Sequence, residues 1–401
     1  IDQVPIAGEM ILPALLNDAR QAGFILPQAP YSWLFAMHEK KLQRLAMVEL
    51  DCHSPAMYSW EALALQPSAN DLDASGGIAH SPAATAAWLS RGRGRPELQQ
   101  AVESAERYLA RSANATQIGI PGVVPTVWPV TGFELGYGLY TMALLGLCQE
   151  EQLASAVRER SRELEIIYRT GKGVSAGEYF TVEVDSTAVS AFVLDKLGLP
   201  YEPDYFMRFH NGEHFTTFDH ELNPSTLSNI HGLAALAAGK MASPEIEAFV
   251  LQHQAADGLW VVDKWHASRL YVTMEAVVSL SLHGRTDHLA AVERGLLATQ
   301  SSAGGWGTNG ADTVLETAFA YITLTIIHQT TGVSASGRRA MANAGRFLDL
   351  HADATSSPER FWLSKELYSP VRVDALYIVA ARFLHMSEQR MVTYEQLPTV
   401  N

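Results

Sequence analysis

Cysteine is almost missing from this chain: Cys52 and Cys148 are the two present in 401 residues. Two thiols supply neither a disulfide framework nor a thiolate metal cluster, which favours a reducing compartment. Positive charge is also scarce. With 29 Lys and Arg against 43 Asp and Glu, the formal net charge is -14. No basic face is available for a phosphate backbone, so nucleic acid is excluded as a partner. The one basic run, "RGRGRP" from Arg91 to Pro96, reads as a solvated loop. Long apolar runs are missing too. "TAFAYITLTII" and "LYTMALLGL" reach about half of the ~20 residues that span a bilayer. No signal-type segment opens the chain, and a cytoplasmic protein without a membrane span is expected. Because the chain starts at Ile1 and not at Met, an N-terminal part is expected to precede it.

What remains is the composition of a packed globular protein. Hydrophobic residues are 47% and charged residues 18%, which rules out general disorder. The length allows two domains or one large barrel. Stretches that alternate apolar and polar are few, so strands are scarce. One design instead recurs: a glycine-rich turn, a polar loop, then a Thr- or Ala-led apolar helix. It appears in "SGGIAHSPAATAAWL" from Ser75, "TGKGVSAGEYFTVEVDSTAVSAFVL" from Thr170, "QAADGLWVVDKWHASRLYVTMEAVVSL" from Gln254 and "QSSAGGWGTNGADTVLETAFAYITL" from Gln300. "VPTVWPVTGFELGYGLYTMALLGL" shares the outline with Pro as punctuation. Between these lie mixed-charge helices such as "PELQQAVESAERYLARSA", apolar at every third and fourth place. Alternating buried and amphipathic helices stack into an all-α α/α barrel or solenoid. In a closed ring the loops before the inner helices converge, and Asp185, Trp265, Trp306 and His80 sit in or near such loops. Two units are tighter still: Gln254-xxx-Gly258-x-Trp260 and Gln300-xxx-Gly304-x-Trp306 have the same spacing. Gln can bond free helix-end groups, Gly permits the turn and Trp packs across it.

These units resemble the Gln-Trp repeats of the squalene-hopene cyclase and class II terpene cyclase superfamily. Further segments are similar to its bacterial class II diterpene cyclase branch, which makes copalyl, halimadienyl or clerodienyl diphosphate. They are "SPAATAAWL" from Ser81, "NPSTLSNIHGLAAL" from Asn223, "DKWHASRLYVT" from Asp263 and "FWLSKELYSPVRV" from Phe361. The resemblance implies two helical domains in the family's βγ arrangement. Residues 1–115 would be the remainder of a γ-like domain, and 116–401 a β-like α/α barrel. "EVDS" lines up with the family's Asp-x-Asp-Asp acid motif, placing the proton donor on Asp185, with Glu183 for the first Asp and Ser186 for the last. The implied reaction is protonation-initiated cyclisation of geranylgeranyl diphosphate to a labdane-, halimadane- or clerodane-type bicycle with the diphosphate retained. Mg2+ is implied as a cofactor, although nothing in this chain marks a metal site. A homodimer is a further expectation. No Asp-Asp pair occurs, and "NDLDASGGI" from Asn70 matches the second class I motif only in its first three positions, so diphosphate ionisation is not expected.

Protonating an alkene needs a carboxylic acid that stays protonated near pH 7, whereas a free Asp titrates near 3.9. An apolar pocket and a second carboxylate raise that value, and a donor to the carboxyl stabilises the anion left behind. Glu183 can be the second carboxylate; His231, with Asn229 beside it, is the candidate donor, or else a base in the last step. Ser186 can donate a hydrogen bond but cannot hold the acidic proton. The plainer reading of "EVDSTA" is a helix cap, since Asp, Ser and Thr favour that position. Carbocations are stabilised by aromatic faces, for which Trp265, Tyr271, Trp306 and Tyr368 are candidates, with packing as the alternative for Trp306. Lys264, Lys365 and Arg372 are candidates for the diphosphate oxygens. The rival readings are a sesquiterpene cyclase acting on farnesyl diphosphate and an α/α-toroid binding protein that has lost catalysis. A protein prenyltransferase β-subunit shares the barrel but needs an Asp, Cys and His zinc site that Cys52 and Cys148 are badly placed to supply.

Overall fold

The computed structural model describes residues 7–27, 29–219, 221–354 and 358–395, with side chains as far as Ser387. The N-terminal region carries α1 (Gly8–Gln21), α2 (Ser32–Leu45), α3 (Pro82–Gly92) and α4 (Gln99–Ala115). There follow α5 (Thr131–Leu144), α6 (Ala154–Gly171), α7 (Val184–Lys196), α8 (Asp204–Met207), α9 (Thr226–Ala238), α10 (Pro244–Leu251) and α11 (Arg269–Leu282). Then come α12 (Leu289–Thr299), α13 (Val314–Thr330), α14 (Ala335–Leu350), a two-stranded hairpin of β1 (Trp362–Leu363) and β2 (Leu367–Tyr368), and α15 (Val371–Glu395). Ser81, Ser225, Thr313 and Ser334 cap α3, α9, α13 and α14 by accepting from backbone N–H groups. Each satisfies a donor that the first helical turn leaves free.

Six helices close a ring. α5 packs on α7, α7 on α9, α9 on α11, α11 on α13, α13 on α15, and α15 back on α5. They are apolar or small on all sides because both faces are covered; α9 is buried without a break from Thr226 to Leu236. α6, α10, α12 and α14 pack outside this ring and turn their charged faces to water, as the spacing of their apolar residues requires. The fold is therefore the all-α barrel expected from the repeats.

The repeat has a physical cause in one recurring hydrogen bond. A threonine inside the helix accepts from a backbone N–H of the preceding loop, where no helix or sheet partner exists. Thr85 serves Ile78 at 3.0 Å, Thr187 serves Val174 at 3.0 Å, Thr273 serves Trp260 at 2.9 Å and Thr317 serves Trp306 at 3.0 Å. The two tighter units repeat more than this. Gln254 and Gln300 donate to the carbonyls of Gly258 and Gly304 at 2.8 and 2.9 Å. The Trp260 and Trp306 indoles donate to Val250 and Leu296 at 2.8 and 2.9 Å. Gly258 and Gly304 have φ of 92° and 93°, and an added Cβ would stand 2.3 and 2.8 Å from backbone oxygens of α12 and α14. Only glycine combines that backbone angle with that approach.

A separate, smaller core lies in the N-terminal region, around Trp60, Trp88, Ile78 and Leu98. Asp71, in the stretch "NDLDASGGI", accepts from the indoles of Trp60 and Trp88 at 3.1 Å each. That is a packing duty. The two regions are tied by the hairpin. Lys365, at its turn, donates to Glu61 at 2.6 Å and to Ser81 Oγ at 2.7 Å, and Ser364 is hydrogen-bonded to the Tyr58 hydroxyl. Between the two cores a cavity remains. Among the described residues no helix is long and apolar enough to cross a membrane.

Candidate active site

α7 begins on the stretch "EVDS". Its cap is Glu183, whose two carboxyl oxygens accept from the Ser186 N–H at 2.9 and 3.0 Å. Asp185 is thereby released from capping and sits in the first turn, reaching the cavity. Its Oδ2 accepts from the Tyr137 hydroxyl of α5 at 2.9 Å, and its Oδ1 faces His231 Nδ1 of α9 at 2.6 Å. Two donors converging on one carboxyl stabilise the anion that remains after proton transfer, as an acid of this kind requires.

A second carboxylate lies behind the first. His231 Nε2 stands 3.7 Å from Glu275 Oε2 of α11, and Glu275 accepts from Tyr140 at 2.8 Å and from Tyr377 of α15 at 2.9 Å. Five of the six ring helices thus contribute to a single polar ladder, Asp185–His231–Glu275 with three tyrosines. Burial opposes a charge on His231, but the Asp185 carboxylate, with Glu275 behind it, wins and raises the imidazole to about 10. The ring is therefore an imidazolium at neutral pH. Glu183 moves upward for a different reason: burial first, then repulsion from Asp185, pushes it to about 8. Glu183 thus holds a proton beside Asp185 at neutral pH, the behaviour of two carboxyls that cannot both ionise in an apolar site.

The cavity above this ladder has a volume of about 550 Å³, within the ~300–1,000 Å³ typical of small-molecule sites. Its wall near Asp185 is aromatic, with Phe133, Tyr137, Phe180, Phe218, Trp265 and Trp362. Lys41 and Arg44 of α2, and Lys264, are its cations. Lys264 bonds to Glu221 and to the Asn223 carbonyl and lies 5.6 Å from the centre of the Trp265 ring.

Of the residues singled out in the sequence, His80, Asp185, Glu183, Ser186, Trp265, Tyr368 and Lys264 line the cavity, and His231 reaches it through Asp185. The others lie elsewhere. Asn229 spends its amide on the backbone of Phe215 and Ser225, holding the loop before α9 instead of touching the acid. Trp306 is buried in its repeat. Tyr271 lies beneath the cavity floor, stacked on His266 at 4.1 Å and against Trp362 at 5.2 Å. Lys365 is committed to Glu61 and Ser81. Arg372 is 83% exposed and pairs with Glu134 at 2.9 Å, too far onto the surface to serve this cavity.

Tyr137, Tyr140, Glu275 and Tyr377 were not anticipated. Glu275 carried a signal nonetheless: it is a lone carboxylate in the apolar run "RLYVTMEAVVSL", and an unpaired buried charge is too costly to be incidental. Phe133, Tyr137 and Tyr140 are spaced by four and three, an aromatic stripe on one helix face.

A closed barrel with a carboxyl braced by two donors beneath an aromatic cavity can set an acid against an apolar molecule. Known proteins are similar to the chain along most of its length. The chain is 28% identical over 394 residues to the (+)-kolavenyl diphosphate synthase of Herpetosiphon aurantiacus, covering 95% of this chain and 75% of that protein. It is 36% identical over 395 residues to the uncharacterized protein y4kT of Sinorhizobium fredii, covering 96% and 75%. The solved ent-copalyl diphosphate synthase of Streptomyces platensis superposes with a TM-score of 0.73 at 27% identity, over 96% of this chain and 77% of that one. No family model matches. The chain belongs to the class II diterpene cyclases and is an enzyme of the copalyl diphosphate synthase type.

Proposed function

We propose that this enzyme cyclises geranylgeranyl diphosphate to a bicyclic C20 diphosphate without breaking the diphosphate ester. The observation that carries this reading is Asp185, directed into an aromatic cavity and braced by Tyr137 and the His231 imidazolium. The one proton that the Glu183–Asp185 pair holds at neutral pH is delivered from Asp185 to the terminal alkene, whose π electrons form the new C–H bond. The next alkenes attack the resulting cation in turn and close two rings. The Asp185 anion keeps both of its donors throughout, so little reorganisation is needed at the moment of transfer. Trp265, Trp362 and Phe133 present ring faces to the positive charge without offering a lone pair that would end the cascade early. Loss of a proton from the ring cation gives the product alkene.

The diphosphate end is assigned to Lys41, Arg44 and Lys264, which unlike Lys365 line the cavity; Lys41 would exchange Glu9, and Lys264 would exchange Glu221, for phosphate oxygens. Among the described residues no three His, Cys, Asp or Glu side chains form a metal cage, so the Mg2+ implied by the family resemblance has no ready-made protein site there, and no step is drawn through it. The test is incubation with geranylgeranyl diphosphate and Mg2+, then phosphatase treatment and mass spectrometry of the released alcohols. A cyclic C20 alcohol that disappears in Asp185→Ala supports the reading. Turnover of farnesyl diphosphate alone would shift the substrate to C15. No cyclic product from either would leave a binding protein.

A further inference from the structure

We propose that His80 is the base that takes the proton whose loss ends the cascade; this rests on the cyclase reading above. The other imidazole at the site cannot do so: His231 has both nitrogens turned to carboxylates and is already charged. His80 stands on the cavity wall just before the cap of α3, 93% buried, with no carboxylate bonded to it. Its ring lies flat on Phe180, with centroids 4.2 Å apart and planes 13° apart, and 5.8 Å from the ring of Tyr58. Its backbone is fixed in the left-handed region at φ 48°, and its carbonyl accepts from the Trp128 N–H at 2.9 Å. Nδ1 is buried without a hydrogen-bond partner among the described residues. The imidazole is therefore neutral, with no carboxylate partner and the Pro129 carbonyl beside it.

The chemistry balances. A C–H bond next to the ring cation breaks, its electron pair becomes the new C=C, and the proton passes to an imidazole nitrogen of His80. Burial, opposed by the Pro129 carbonyl and reinforced by the Lys365 charge, pulls the imidazole down to about 3. The ring thus carries no charge to repel the cation formed beside it, and gives its proton up to water readily afterwards. A base this weak suffices, because a C–H beside a carbocation is far more acidic than an imidazolium.

His80→Phe keeps an aromatic ring for the Phe180 stack, and His80→Asn suits the left-handed backbone. Both variants and the parent are incubated with geranylgeranyl diphosphate, and the products are compared as fractions of total cyclised material. That ratio is set per turnover and does not depend on how much of each variant is folded. The parent's alkene isomer is expected to fall at least ~10-fold in share, replaced by hydroxylated bicycle or by other double-bond isomers. An unchanged isomer ratio in both variants overturns the assignment, and would mean that Asp185 or water takes the proton. Complete loss of turnover in both, with thermal unfolding unchanged, also overturns it, because protonation by Asp185 does not involve His80. No cyclic product from the parent overturns this inference together with the reading it rests on.

Discussion

His231 and His80 attend the same cavity and are both buried, yet one is held at about 10 and the other at about 3. Burial acts on both in one direction, against the charged ring. The difference lies in their neighbours. His231 lies between Asp185 and Glu275, and two carboxylates outweigh its desolvation. His80 has Phe180 on one face, Tyr58 nearby and a lysine, Lys365, as its nearest charge of note. A fixed cation beneath the acid and a neutral ring on the wall are the two things a proton-initiated, proton-terminated reaction requires.

The comparison breaks most severely if the carboxylate that makes His231 a cation is removed. Asp185→Asn removes the carboxyl that delivers the proton to the substrate and that stands 2.6 Å from His231 Nδ1. Cyclised product is expected to fall by at least ~10³-fold, and the His231 imidazole, followed by NMR titration, should drop well below 10. A variant that retained turnover would remove Asp185 from the mechanism.

Glu275→Gln tests the other side of His231. The amide oxygen keeps an acceptor for one of the Tyr140 and Tyr377 hydroxyls and the NH2 can donate to the other, so the fold should survive, but the charge behind the imidazole is lost. We expect kcat to fall roughly 10–100-fold with little change in KM, and the His231 imidazole to titrate lower. Glu275→Leu would instead strand buried donors and cost about 3–5 kcal/mol, read by denaturant unfolding. Equal kcat in Glu275→Gln and parent would make the glutamate a packing device.

Stability against pH separates the two histidines by sign. His231 is raised from 6.5, so its contribution is complete below pH 6.5 and is lost as pH rises through about 10. Glu183, raised from 4.5, acts in the same direction, its contribution fading between 4.5 and about 8. His80 is lowered from 6.5, so its contribution is present above 6.5 and is lost as pH falls toward 3, a limb that it shares with His266. Thermal unfolding should therefore weaken on both sides of neutrality. His80→Asn should flatten the acid limb and leave the alkaline limb in place. An alkaline limb flattened by that variant would contradict the separation.

The same contrast marks what could be read without coordinates. The barrel was legible because its cause is local: each repeat carries its own glycine, its threonine and, in two copies, its Gln and Trp. Asp185 was singled out through the resemblance of its stretch to an acid motif, and the structure gives Glu183 the duty of capping α7. The ladder was not legible, because Tyr137, His231, Glu275 and Tyr377 come from four different helices and meet only when the ring closes. Lys365 and Arg372 were misjudged for a related reason. The direction such a cation takes depends on the carboxylate it finds, and Glu61 and Glu134 lie 304 and 238 residues away in the chain.

The smallest effect expected separates Trp306, for which the sequence already offered packing as the alternative, from Trp265. Trp306 is fully enclosed and donates to the Leu296 carbonyl, so Trp306→Phe loses that bond and leaves a void, costing about 2 kcal/mol with product composition unchanged. Trp265 lines the cavity, and its indole N–H has no partner among the described residues, so Trp265→Phe has no hydrogen bond to lose and should cost less than 1 kcal/mol. Its effect belongs in the products, because a smaller ring face against the cation changes which cation persists long enough to lose a proton. Denaturant midpoints and product ratios measured on the same two variants give opposite rankings if packing and catalysis are divided this way. Matching rankings would place both tryptophans in the frame of the barrel, leaving cation stabilisation to Trp362, Phe133 and Tyr137.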